Sequence, residues 1–546
     1  MNIRRECVTS ESPELAGQGS LVRHPLTWIL LAYTALGLGL LAAYQFQINP
    51  DGIAYLDIAE KYVRGDIWGA INAYWSPLIS WLTAGLRLLG LPPQVAIKLV
   101  LLMSGGVALG GVWCLLGDCP MWMRAIATGG AIPLTVYYAL HVITPDLLVA
   151  TVLVWYAAWL VEGRLDVRAS VWGGFLVALG YFAKAFALPF CLVHLCGWRL
   201  LEERQVGWRQ RLWSLVVSLG VAGCVSAIWM VALKAKYGVW MSGSAGRITY
   251  AWAGPRMNCV HPFINPREMR FFAPMEAGDT SFWTDPTSLP IQPWSPFESF
   301  EYAHYQVFMT IFRLRVTAFA YSREYSWLTL PIVLGMMVGV WFVSALRRRF
   351  GVLLSGILLY VAGHAAVYVE ARHLLPLAYW VLVAGAWLVW LTGFQFKVPR
   401  KLHFVLLLFV IGTFTWHPAR ALARDALRKD GAFESYREVH RQAQAMRAQL
   451  GVQGRIASNR EWHQSLHLTW FLGGQYYGVA PAQADPEEVA RMLTDYKVDY
   501  YFAWSDGSGA FPEVRWGEEI TGGQDPLLRI YRARPGPVKA TGGQTY

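Results

Sequence analysis

The residues able to do chemistry are few, and they stand at the ends of apolar runs. Asp51 lies in Asn49-Pro50-Asp51-Gly52-Ile53-Ala54-Tyr55, just beyond the first long apolar run, and Asp146 follows Ile143-Thr144-Pro145 at the mouth of another. A carboxylate at such a border is a proton acceptor for a hydroxyl substrate. It is also an ordinary helix-start residue: Asn49, Pro50 and Asp51 together look like one, as does Asp146 after Pro145. Lys184 joins the apolar stretches 173–183 and 185–195. A lone ammonium there is costly unless it reaches water or pairs, and an anionic lipid phosphate is its natural partner. Arg372, between Glu370 and His373, is a second phosphate candidate, with an internal pair to Glu370 as the competing reading. Tyr55, Tyr74 and Trp75 are placed to contact a sugar or to form an interfacial aromatic belt. His261 and Arg267, in a later loop, are within reach of such a site from above, although a structural role weighs more. Asp57 and Glu60 are expected on a solvated face. Asp51 and Asp146 are the one pair to nominate for a divalent ion, and two acids are thin for a hard cation, so no metal or other cofactor is expected.

What must hold these groups is a membrane protein. Of 546 residues 55% are hydrophobic and only 15% charged, with a mean hydropathy of +0.33, too apolar for a soluble chain of this length. Apolar runs recur at 26–46, 95–117, 124–142, 147–162, 169–183, 185–201, 212–234, 326–346, 350–368, 374–392 and 402–416. Most approach the ~20 residues a helix needs to cross the hydrocarbon, giving an expectation of about eleven spans. The first follows a polar N-terminal stretch without a nearby small-residue cleavage site, which reads as a retained helix. The net charge of +11 is spread over short loops with no basic patch interleaved with aromatics, which argues against nucleic acid. The seven cysteines mostly fall in apolar runs and form neither a disulfide framework nor a zinc spacing.

Basic residues fix the expected orientation. Arg164 and Arg168, Arg199 to Arg211, 347–349 and Lys397 to Lys401 fall on alternate connections, with Arg4, Arg5 and Arg23 at the N-terminus. By the positive-inside rule these are cytoplasmic, so Asp51, Asp146, Lys184, the 235–325 connection and Glu370 face outward. Residues 76–90 decide the register: about fifteen residues, with Ser80, Thr83 and Arg87 in a polar stripe opposite Trp81, Leu82 and Leu89, read as an interfacial helix.

Two regions follow: a membrane domain, 1–416, with a first outer loop at 47–94 and a long one at 235–325, and a C-terminal domain, 417–546, facing outward. The long loop is dense in Pro and aromatics, a composition that resists regular helix and is too aromatic for disorder, so it reads as an ordered wall or lid. In the C-terminal part Asp485 caps and Pro486 opens a helix, and Arg455-Ile456-Ala457-Ser458, Asp499 to Trp504 and Leu527 to Tyr531 read as strands of a small α/β domain.

In order and spacing, Pro50-Asp51-Gly52-Ile53-Ala54-Tyr55, Trp75-Ser76-Pro77-Leu78, Ile143-Thr144-Pro145-Asp146-Leu147-Leu148, Gly180-Tyr181-Phe182-Ala183-Lys184-Ala185 and Glu370-Ala371-Arg372-His373-Leu374-Leu375-Pro376 resemble the GT-C superfamily of polyprenyl-phosphate-sugar-dependent membrane glycosyltransferases, the group of the lipid A aminoarabinose transferase and the protein O-mannosyltransferases. The resemblance spans residues 26–375. It differs at two places: Gly52 stands where many relatives carry a second acid, and Trp75 and Ser76 stand where the family has a lysine. What it implies is a mainly α, polytopic fold and transfer of a sugar, with inversion, from a polyprenyl-phosphate donor to an acceptor hydroxyl at the outer face. Asp51 would be the base, Asp146 would orient substrate, and Lys184, Arg372, Glu370, Tyr55, Tyr74 and His261 would bind it. The acceptor would be a lipid, a glycan or a protein, and the location a bacterial inner membrane with the site facing the periplasm. The rival readings are a transporter or flippase of lipid-linked saccharides and a non-catalytic glycan-binding protein; the lack of repeated halves and the gathering of charge at one face favour the enzyme.

Overall fold

A computed structural model describes residues 24–201, 207–255, 270–396, 398–427, 432–481, 483–523 and 525–533. Helix dominates, and each of the eleven apolar runs is helical. Among the described residues six helices are long and apolar enough to cross a membrane: Pro25–Tyr44, Pro93–Leu115, Trp208–Tyr237, Arg347–Val367, Ala371–Thr392 and Arg400–Leu427. Phe300–Glu324 and Thr329–Phe342, bent by 109° at their junction, make a seventh if counted as one. The 124–142 run is not continuous: it forms Met121–Gly130 and Ile132–Leu140, broken at Ala131 just before Pro133, whose ring cannot continue a helical hydrogen-bond ladder.

In the outer loops one expectation fails, and a second element takes an orientation that the sequence left open. The 235–325 segment is not free of regular helix. It contains Ala245–Trp252 and the 25-residue Phe300–Glu324, because prolines stop at Pro296 and do not recur until Pro331. Ser299 then caps the longer helix, its hydroxyl accepting from the Tyr302 amide at 3.2 Å. The polar stripe of the short Leu78–Leu88 helix turns inward: Ser80 and Thr83 are fully buried while Leu82 and Leu89 are exposed. Ser80 donates to the Tyr55 carbonyl at 2.9 Å, so the apolar face is left for lipid.

The C-terminal part builds a five-stranded sheet of Arg455–Ser458 (β1), Gln475–Val479 (β2), Tyr500–Trp504 (β3), Gly517–Glu519 (β4) and Leu528–Ala533 (β5), in the order β2-β1-β3-β5-β4. β1 runs parallel to β2 and β3, with helices Trp462–Leu472 and Pro486–Asp495 as crossovers, and β3, β5 and β4 pair antiparallel. Asp485 caps the second crossover by accepting from the Glu488 amide at 2.7 Å. The helix Arg400–Leu427 runs unbroken through position 416.

The sheet bears directly on the outer loop. Residues 271–281 lie along the edge strand β2, with bridges Phe271 to Gly478 and Ser281 to Tyr476. The Tyr476 amide donates to the Thr280 carbonyl at 2.6 Å and the Phe272 amide to the Tyr477 carbonyl at 2.8 Å. An edge that would otherwise present unpaired backbone groups is thus covered by the loop.

Candidate functional site

The helix Pro50–Val63 begins where sequence places it, but Asn49 does the capping: its side-chain oxygen accepts from the Gly52 amide at 3.0 Å. Asp51 is thereby released from that task. One carboxylate oxygen accepts from the Trp283 indole N–H at 3.1 Å and the other from Arg372 Nη1 at 2.7 Å. Gly52 is required by space, since a Cβ there would lie 2.8 Å from the Asn49 side-chain oxygen and 2.9 Å from an Ile143 methyl. A second acid next to Asp51 has no room.

Asp146 opens the helix Asp146–Glu162, whose cap is Pro145. Its buried carboxylate takes the Lys184 ammonium at 2.6 Å and the Thr144 hydroxyl at 2.7 Å. Lys184 sits where the helix Val167–Ala183 ends, in extended backbone, and the turn is tied down by the Ala185 amide donating to Ser76 Oγ at 3.0 Å. Ser76, which stands where the resembling glycosyltransferases carry a lysine, thus serves the Lys184 turn. Arg372 links the two halves: besides Asp51, its Nε lies 2.5 Å from Glu370 Oε2 and 3.9 Å from Asp146 Oδ2. The structure therefore brings Asp51, Asp146, Lys184, Glu370 and Arg372 into one network of three carboxylates and two cations, donated by four separate segments. The internal Glu370 pair and the reach of Arg372 to Asp51 are both present. Among the described residues no group of three or more His, Cys, Asp or Glu side chains is set to hold a metal ion.

Aromatic rings wall one side. Tyr74 packs on Trp75 with centroids 4.6 Å apart, Trp75 on Tyr55 at 5.0 Å, and Trp283 lies flat against Trp252 at 5.8 Å. Trp75 Nε1 donates to the Trp283 carbonyl at 3.0 Å. Tyr55 is buried, so its ring supports the wall. Arg372 also lines a cavity of about 240 Å³, together with Ala371, Tyr137, Tyr138, Glu324 and His417, among others. His261 and Arg267 lie outside the described residues.

Asp57 is not on a solvated face. It is buried and accepts from the Thr280 amide at 2.7 Å, the Thr280 hydroxyl at 2.9 Å and the Thr284 hydroxyl at 2.8 Å. Burial pushes its carboxyl up to about 7 from 3.8, against the pull of those hydrogen bonds. Glu60 pairs with Arg87, and Lys61, one turn on from Asp57, holds Asp279 at 2.5 Å. The loop is wrapped onto this helix as well as onto β2, and the effect is to aim Trp283 at Asp51. The sequence signal that was missed is the spacing of Asp57 and Lys61, which puts both on the same face as buried Ala54 and Ile58 and not on the water side.

No protein-family model and no curated protein matches the chain by sequence. Solved structures do match. The crystal structure of ArnT from Cupriavidus metallidurans in the apo state is similar with a TM-score of 0.55 at 12% identity, covering 94% of this chain and 99% of that one. The chain has the GT-C fold. The same ArnT bound to undecaprenyl phosphate matches with a TM-score of 0.50 at 14% identity, over 92% of this chain and 98% of that one. The likeness thus takes in the sheet-bearing C-terminal part as well as the helices, where the sequence motifs reached only residues 26–375.

Proposed function

We propose that the protein is an integral membrane glycosyltransferase that moves a sugar from a polyprenyl-phosphate donor to an acceptor hydroxyl at the outer face, with inversion. The observation that carries this reading is the network in which Arg372 sits between Asp51, Glu370 and Asp146 while Lys184 holds Asp146. A site that strips a phosphate leaving group from C1 of a sugar needs cations for the departing charge and a carboxylate for the incoming proton. Here both are kept side by side, each cation held by carboxylates until substrate enters. The solved ArnT with undecaprenyl phosphate supports a lipid phosphate as the ligand class.

The donor phosphate binds Arg372 and Lys184, competing with the carboxylates that hold them at rest. As Arg372 turns to the phosphate, the Asp51 carboxylate is released from its ion pair and is free to receive the acceptor proton. The acceptor oxygen attacks C1 from the face opposite the phosphate; the C1–O bond to phosphate breaks and its electron pair leaves with the polyprenyl phosphate. The acceptor proton goes to Asp51. Trp283 keeps Asp51 in position throughout, and the ring of Tyr74, backed by the buried Trp75, offers an apolar face to the sugar. About eleven spans, with the shorter apolar helices crossing by local thinning of the bilayer, put this site and the C-terminal sheet on the periplasmic side of a bacterial inner membrane.

Mass spectrometry of envelope glycans in a deletion strain complemented with wild type or Asp51→Asn tests the reading. Loss of the modification with normally folded variant protein is expected; full modification by Asp51→Asn overturns the base. Protein that moves lipid-linked saccharide across proteoliposomes without consuming it favours a flippase instead.

A further inference from the structure

A larger cavity lies far from the carboxylate network. It has a volume of about 610 Å³ and is lined by Arg124, Glu162, Asp118 and Arg349 together with the rings of Trp155, Trp159 and Trp172. Glu162 ends the helix that Asp146 begins, so at 1.5 Å per residue the cavity sits roughly 24 Å from Asp146, at the opposite end of the membrane layer.

Its charges are not all spoken for. Arg349 is paired with Asp118. Arg124 has no carboxylate partner among the described residues: its guanidinium lies 4.3 Å from the Trp113 ring centre and its Nη2 donates to the Trp113 carbonyl at 3.3 Å. Its Nε is buried with no hydrogen-bond partner, as is the indole N–H of Trp159. A buried donor without an acceptor is costly, and these two belong to side chains that line the cavity. Glu162 is shared with Arg164 at 3.4 Å, both more than half exposed, a weak surface pair that leaves the carboxylate available. The cavity therefore offers one unpaired cation, one available anion and three indole rings. From its rim, Trp172, Phe175 and Leu179 run as an exposed apolar stripe along one face of the helix Val167–Ala183, the spacing of a helix side facing lipid tails.

We propose that this cavity is a second lipid site that seats the aminoethyl-phosphate head group of a membrane phospholipid. The phosphate takes Arg124 and the Trp159 N–H, and the ammonium takes Glu162 and an indole face. The acyl chains lie along Trp172, Phe175 and Leu179. A purely anionic head group fits less well, because Asp118 already neutralises Arg349 and Glu162 repels a second negative charge.

The test uses the full chain in detergent, with native mass spectrometry and thermal unfolding after adding phosphatidylethanolamine, phosphatidylglycerol or inorganic phosphate. Wild type is expected to retain phosphatidylethanolamine at least 5-fold over phosphatidylglycerol and to gain no stability from inorganic phosphate. Arg124→Gln and Glu162→Gln are each expected to erase that preference. Should Arg124→Gln fail to fold, Glu162→Gln, at an exposed position, decides alone. Equal retention of the two lipids by wild type, the same stabilisation from phosphate by itself, or a preference that survives Glu162→Gln overturns the proposal.

Discussion

Replacing Lys184 by Met removes the ammonium 2.6 Å from Asp146 while keeping most of the apolar stem. Asp146 then retains the Thr144 hydroxyl at 2.7 Å and Arg372 at 3.9 Å. Breaking a buried pair by deleting one partner costs about 3–5 kcal/mol. Here Lys184 is about a quarter exposed and a second cation remains nearby, so the expected loss is smaller, about 2–3 kcal/mol. Asp146→Asn leaves the ammonium able to reach water, and about 1–2 kcal/mol is expected. If the pair is real, the double variant is about 1–2 kcal/mol better than the sum of the singles, because neither group is then left uncompensated. Reversible unfolding of purified protein in mixed micelles, followed by intrinsic tryptophan fluorescence, measures all four corners of the cycle. Additivity within about 0.5 kcal/mol would show that the two side chains are independent and refute the network. The same variants report on function: Lys184→Met is expected to slow donor consumption at saturating donor, since it removes charge needed as the phosphate departs.

Other expectations are as direct. Trp283→Phe keeps an aromatic ring, smaller than the indole, but removes the hydrogen bond to Asp51, and a fall in kcat of about 10- to 100-fold is expected with a smaller change in KM, matching about 1.5–3 kcal/mol for a hydrogen bond to a charged group; an unchanged kcat in a single-turnover assay counts against the positioning role. Gly52→Asp is expected to destabilise by about 1–3 kcal/mol through overpacking against Asn49 and Ile143, read as a lower unfolding midpoint; a variant as stable as wild type shows that the space exists. Because Asp57 is raised to about 7 in the folded chain from 3.8, the folded state binds its proton more tightly. The stability it contributes is therefore fully present below 3.8 and is lost as pH rises through 7, at about 1.4 kcal/mol per unit between. The unfolding midpoint of wild type should fall more steeply from pH 5 to 7 than that of Asp57→Asn, and parallel curves would exclude the titration.

The membrane class, the helical runs, the helix start at Asn49 and three of the five strands were legible from the chain alone, because apolar periodicity, caps and short apolar or aromatic runs are local signals. So were the chemically unusual residues: Asp51, Asp146, Lys184 and Arg372 stood out through the cost of charge beside apolar sequence. Their partners were not legible. That Arg372 holds Asp51 across 321 residues depends on how helices pack, and nothing near either residue encodes it. The roles of Asp57 and Trp283 were hidden for the same reason, since a carboxylate about two turns into an amphipathic helix reads as solvated until a distant loop is seen to bury it. The strand β2 was missed because Gln475 and Gly478 weaken its local signal, whereas pairing with β1 on one side and bridges to the outer loop on the other hold it in place. Sequence determined which groups carry charge into an apolar layer; the tertiary fold alone decided which of them meet, because charges in such a medium are tolerated only where the packing supplies each with a partner.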